Sequence, residues 1–131
     1  MLKSSFLLIF IFTSFFAFGQ RATSLKDIEP VGKFENTSVK QLYTDPYSTT
    51  YLIWIKKEVR SHVHQEHTEQ LYVVSGKADL FMGGKQYEMK KGRMYFIPPN
   101  VIHGLIVTSK KPLKVVSMQS PEFDGSDRVI R

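Results

Sequence analysis

From residue 39 to residue 118 the chain is a succession of short β-branched and aromatic runs, each closed by turn-forming residues. Residues 39–43 stop at Asp45-Pro46, residues 49–55 read TTYLIWI, and residues 59–64 follow. Residues 70–74 end at Ser75-Gly76. Residues 78–82 and 86–89 flank Gly83-Gly84, a dipeptide that suits a tight hairpin because both positions accept positive φ. Residues 94–97 are framed by Lys91-Gly92 and Pro98-Pro99-Asn100, and residues 102–107 and 113–118 complete the series. No helical periodicity of useful length interrupts it. Eight or nine short strands at this spacing predict an all-β chain, an antiparallel barrel or sandwich. The TTYLIWI segment is expected to be a well-buried strand, and Trp54, Phe81, Tyr95 and Phe96 are expected in the core.

The two ends read differently. Lys3 and an apolar run over residues 6–18, with the small residues Ala17 and Gly19 two apart at its end, have the layout of a secretory signal peptide cleaved before Gln20. The run is shorter than the roughly 20 apolar residues that a membrane span needs. The expected organisation is a signal peptide over 1–19 and one domain over 20–131: an N-terminal arm (20–48), a barrel (about 50–119) and a polar tail (120–131) with Phe123 as its one anchor. Localisation in the periplasm or outside the cell follows, with no membrane partner after cleavage. No cysteine is present, so no disulfide framework supports the domain. Without Lys3 the chain carries 17 basic and 12 acidic residues, a net charge of +5. The basic residues fall in pairs at strand ends, as edge protection would place them, without the basic helix or basic-aromatic platform of a nucleic-acid binder. The charge favours an anionic small molecule instead.

Residues 60–76, RSHVHQEHTEQLYVVSG, hold three of the four histidines. Side chains on a strand alternate faces, so His62 and His64 point the same way. Glu69 lies just across a short turn, and an antiparallel barrel can deliver His103 from the IPPNVIHG segment. Three imidazoles and one carboxylate form a candidate site for one divalent transition metal with coordination positions left open. Such mixed nitrogen and oxygen ligation suits Fe, Mn, Ni, Zn or Cu without choosing among them. His67 is read as either a turn residue or a partner behind the ligands. Glu66 is expected in solvent, with acid–base work at the mouth as its alternative. Arg60 shares the parity of the histidines and is the candidate cation beside the pocket. Tyr72, of opposite parity to Glu69, is expected to face away.

These residues resemble the two motifs of the cupins. The first, G-x5-H-x-H-x3,4-E-x6-G, is matched from His62 through His64 and Glu69 to Gly76, with Lys56 and Lys57 where the leading glycine would fall. The second, G-x5-P-x-G-x2-H-x3-N, is matched by Gly92, Pro98 and His103; Asn100 replaces the inner glycine and Val107 the final asparagine. Asparagine tolerates the left-handed backbone that the glycine would adopt. The resemblance spans about residues 50–119 and implies a cupin barrel, a jelly-roll-like double-stranded β-helix, with His62, His64, Glu69 and His103 as metal ligands. It implies three functional readings: a metal-dependent enzyme (isomerase, lyase or iron-dependent dioxygenase) acting on a small oxygen-rich molecule such as a sugar acid, a non-catalytic ligand-binding module, or a structural metal staple. A homodimer is a further expectation, with residues 49–55 open to two readings, a shared edge strand or an internal strand.

Overall fold

The computed structural model describes residues 22–131; the expected signal peptide lies outside them. Among the described residues the chain forms one 3-10 turn, Leu25–Asp27, and ten strands: β1 (Thr37–Asp45), β2 (Ser48–Ile55), β3 (Glu58–His64), β4 (Thr68–Ser75), β5 (Lys77–Met82), β6 (Lys85–Lys90), β7 (Met94–Ile97), β8 (His103–Val107), β9 (Leu113–Ser120) and β10 (Arg128–Ile130). The strands build two five-stranded sheets, ordered β1-β2-β9-β4-β7 and β10-β3-β8-β5-β6. All pairings are antiparallel.

Period-two alternation decides what each strand buries. Leu71 and Val73 of β4, Tyr95 and Ile97 of β7, and Leu113 and Val115 of β9 point inward from the first sheet. They meet Ala78 and Leu80 of β5, Met89 of β6 and Leu105 of β8 from the second, so the main core lies between the sheets. The same alternation corrects two expectations. Phe81 and Phe96 sit beside inward Leu80 and Ile97 and therefore face out, 41% and 61% exposed. Aromatic character does not override strand parity, and only Trp54 and Tyr95 of the expected four are buried. Tyr72 is outward-facing, 36% exposed.

Strand β2 is apolar on both parities because both of its faces are covered. Ile53 and Ile55 belong to the inner core, while Leu52 and Trp54 pack with Val116 on the outer face beneath Leu25, Ile28 and Phe34 of the N-terminal segment. The Lys114 ammonium fastens that segment by donating to the Ile28 carbonyl at 2.7 Å. Both edges of β2 are paired, to β1 and β9, so within the protomer it is an internal strand and not a free edge for a second copy. The arm reading needs a boundary correction: its last part is the nine-residue β1, in register with β2 from Thr37↔Ile55 to Asp45↔Ser48. The polar-tail reading is corrected as well, since β10 pairs with β3 through Arg128↔His64, Val129↔Val63 and Ile130↔His62.

Gly76, between β4 and β5, has φ +83°, and a Cβ there would lie 2.8 Å from both the Leu113 Cα and the Pro112 carbonyl oxygen. Backbone cannot yield as a flexible side chain would. Gly76→Ala is expected to lower stability by about 2–4 kcal/mol, combining left-handed strain with the clash. In a domain of this size that is a drop in Tm of at least ~8 °C, checked by thermal unfolding.

Candidate metal centre

His62 and His64 lie on β3 and His103 opens β8, in register with His62. Glu69 enters from β4 in the other sheet. All four are buried, and one ligand atom from each lies within 4.8 Å of all the others. The imidazole centroids are 4.2 Å apart for His62 and His103, 5.1 Å for His62 and His64, and 5.4 Å for His64 and His103. The structure therefore brings together the four residues singled out in the sequence.

A register irregularity makes this possible. Between Val59↔Leu105 and His62↔His103, β3 uses one residue more than β8, a bulge that lets both Val59 and His62 face inward. Gly104 accommodates it, because a Cβ there would sit 2.8 Å from the Val59 oxygen and 3.0 Å from the Ser61 nitrogen. The bulge also breaks the parity argument for Arg60. That residue is exposed where it lines the cavity, and its carbonyl accepts a 2.8 Å hydrogen bond from His62 Nδ1. On the other side, Asn100 adopts φ +64°, the left-handed conformation expected of the residue that replaces the motif glycine. Its N–H donates to the His64 carbonyl at 2.7 Å and its side-chain amide to the Gln65 carbonyl at 3.1 Å, tying the loop before His103 to the end of β3.

Hydrogen bonds behind the ring nitrogens define which atoms are free to ligate. His62 Nδ1 faces the Arg60 carbonyl and His103 Nδ1 the Val101 carbonyl, each at 2.8 Å, while His64 Nδ1 lies 3.4 Å from Asp127 Oδ1. With the proton held on Nδ1, each neutral ring offers the Nε2 lone pair. His103 Nε2 lies 3.1 Å from Glu69 Oε2, and His64 Nε2 lies 3.7 Å from the same oxygen. Two acceptors facing each other in a buried site need a proton or a cation between them, so the donor set fits a metal ion. Glu69 Oε1 is occupied separately: Ser117 Oγ donates to it at 2.6 Å and Gln119 Nε2 at 3.4 Å.

Burial pushes the Glu69 carboxyl up, but the His103 and His64 imidazoles beside Oε2 and the hydrogen bond from Ser117 outweigh it and hold its pKa well below the usual range. Burial pushes His62 down to about 4; the Arg60 carbonyl opposes the shift, and the charges of His103 and Arg128 reinforce it. The quartet lines a cavity of about 640 Å³ walled by Ile53, Leu71, Leu105 and Val115, with Arg60 and Arg128 also on its lining.

Several contributors carry no motif signal. Asp127 contacts His64 and also bonds His67 Nδ1 at 2.6 Å. Phe123 sets its ring edge-on to His64 and His67, with centroids 5.1 and 5.0 Å away. Gln119 stands opposite Glu69 on β9, and Arg128 is the cation whose charge reaches His62. His67 is buried but outside the quartet; it joins Asp127 to the Glu122 carbonyl, which lies 2.8 Å from His67 Nε2. Glu66 is exposed, and its contribution is a backbone N–H donated to Asp127 at 2.9 Å.

The chain belongs to the cupin family, whose cupin-domain model (Cupin_2) matches residues 52–119. It is 32% identical over 110 residues to an uncharacterised protein of Aquifex aeolicus, a match covering 80% of this chain and 90% of that one. Among solved structures, an uncharacterised Klebsiella pneumoniae protein with a double-stranded β-helix domain superposes with a TM-score of 0.70 at 20% identity, covering 86% of this chain and all of that one. Pac13 of Streptomyces, described as a nucleoside dehydratase, superposes at 0.65 and 16% identity, covering 86% and 92% of the two chains. At these identities the structural likeness establishes the fold: a double-stranded β-helix.

The lowered pKa of His62 has a consequence for stability. Below pH 6.5 the unfolded chain takes up a proton at this residue that the folded chain refuses until about pH 4, so its contribution to stability falls as pH drops through that interval. Melting curves of metal-stripped protein are expected to move to lower temperature between pH 6.5 and 4, and His62→Gln to flatten part of that shift. An unchanged slope in the variant would contradict a neutral, buried His62.

Proposed function

We propose that the chain is an exported, metal-dependent cupin enzyme acting on a small oxygen-rich molecule of the sugar-acid or hydroxy-carboxylate type. The observation that carries this reading is a buried three-histidine, one-glutamate set opening onto a cavity of small-molecule size. His62, His64 and His103 would hold a divalent ion through their Nε2 atoms and Glu69 through Oε2. When bound, such an ion supplies Lewis acidity to a ligand oxygen.

The surrounding residues suit a polyhydroxylated ligand. Because Glu69 Oε1 only accepts, the Gln119 amide must turn its nitrogen towards it, which leaves Gln119 Oε1 buried without a partner among the described residues. A ligand hydroxyl donating to that oxygen would relieve the cost of an unpaired buried acceptor, about 1–3 kcal/mol. Arg60 and Arg128 on the cavity lining favour a ligand that also carries negative charge. Structures of the similar Pac13 are described with uridine, a hydroxylated ligand of comparable size.

A non-catalytic binding role is the second reading, and a particular observation favours it. The four buried titratable groups lining the cavity all belong to the ligand set, so proton transfer would fall to the half-buried Tyr51, to Glu58 or Asp124 on the exposed lining, or to no side chain.

The test uses mature protein purified without a polyhistidine tag and loaded in turn with Fe, Mn, Ni, Zn and Cu. Wild type is expected to retain one ion per chain and His62→Ala and His103→Ala to retain none; equal retention in the variants, or none in wild type, would sink the metal reading. Acidification from pH 7 towards 4 should release the ion as the histidines protonate. Incubation of loaded protein with a panel of uronates and hydroxy acids, followed by proton NMR, then separates the roles: new product signals indicate an enzyme, and a thermal shift without turnover a binding module. For export, the secreted form is expected to begin at Gln20, which N-terminal sequencing checks.

A further inference from the structure

The three candidate imidazole ligands are not held alike. His62 and His103 each place Nδ1 2.8 Å from a backbone carbonyl two residues earlier, at Arg60 and Val101. Their orientation is built into their own stretch of chain. His64 instead presents Nδ1 to a side chain 63 residues away, Asp127, at 3.4 Å. Asp127 lies beyond the segment matched by the family model.

Asp127 is itself held firmly. Its Oδ2 accepts from the Glu66 N–H at 2.9 Å, the His67 N–H at 3.2 Å and His67 Nδ1 at 2.6 Å, leaving Oδ1 turned towards His64. Backbone register fixes the approach, since Arg128 is the partner of His64 in the β10–β3 pairing. The Phe123 ring closes another side of the same imidazole, and that segment is fastened by Phe123 N–H to Thr49 Oγ1 and by Tyr51 Oη to the Phe123 carbonyl, both at 2.9 Å.

We propose that Asp127 is a positioning residue for the metal centre: its carboxylate orients His64 and strengthens it as a ligand, so that metal affinity depends on the docked C-terminal segment. A carboxylate behind a ligating imidazole fixes the ring and raises its basicity, and losing such a partner typically weakens metal binding about 10–100-fold. The inference rests on the reading of His62, His64, Glu69 and His103 as a metal site.

The test measures Co(II) affinity of the full mature chain by competition with a chromophoric chelator, alongside the Tm of each metal-free variant. Asp127→Asn is expected to weaken Co(II) binding about 10–100-fold. His67→Gln cuts the other side-chain tie of Asp127 and leaves its two backbone donors in place, so it should weaken binding by less than about threefold if orientation of His64 is what matters. In a His64→Ala background, Asp127→Asn should add no further loss, because coupled residues are non-additive. Wild-type affinity in Asp127→Asn, an equal loss in His67→Gln, or full additivity with His64→Ala would each overturn the proposal. Should Asp127→Asn not fold, Asp127→Glu, which keeps the charge and changes the reach, takes its place with an intermediate loss expected and wild-type affinity overturning the proposal. Failure of wild type to bind Co(II) would instead refute the underlying metal reading.

Discussion

A carboxylate sealed from water is the constraint on which this structure depends. Glu69 is 6% exposed and ionised, a state that costs several kcal/mol unless donors or a cation surround it. The surrounding groups come from both sheets. Ser117 and Gln119 of β9 hold one oxygen within the first sheet; His103 of β8 and His64 of β3 approach the other from the second. Where the apolar core would otherwise continue between the layers, a polar contact joins them, and its geometry ties the spacing of the sheets to the spacing of the histidine and glutamate quartet.

That contact works only because the second sheet departs from regularity. Simple alternation along β3 cannot place Val59 in the core opposite Leu105 and also set His62 opposite His103. The bulge resolves the conflict, and the bare backbone of Gly104 gives it room. A one-residue slip turns every side chain of a strand to the other face. The bulge therefore separates a stretch governed by hydrophobic packing from one that places the buried histidines.

Much of this was legible in the sequence, for identifiable reasons. The strands from β1 to β9 announce themselves through β-branched runs and glycine or proline punctuation. The histidine and glutamate quartet shows through short spacings, His62 to His64 to Glu69, and through the Gly92-to-His103 motif, whose asparagine adopts the backbone expected of it. What was missed depends on contacts distant in sequence. Strand β10 is three residues long and polar-flanked, too short for a periodic signal, and exists because β3 offers it an edge. Asp127, Phe123 and Gln119 reach the site through tertiary approach, with no local spacing to mark them. Phe81 and Phe96 were misplaced because residue type was weighed above parity; Arg60 does line the cavity, though beside a bulge and not by simple alternation.

The strand order has a consequence for how the protein comes into being. Strand β9 lies between β2 and β4, so the first sheet is two separate fragments until residues 113–120 are available to join them. The second sheet likewise receives β10 at its edge from residues 128–130. Contacts of such sequence separation carry a large loop-closure entropy before any reward, which slows folding and defers it until nearly the whole polypeptide is present. A chain made only as far as β8 can pair β3, β8, β5 and β6, but β4, which carries Glu69, joins the rest of its sheet only when β9 is present.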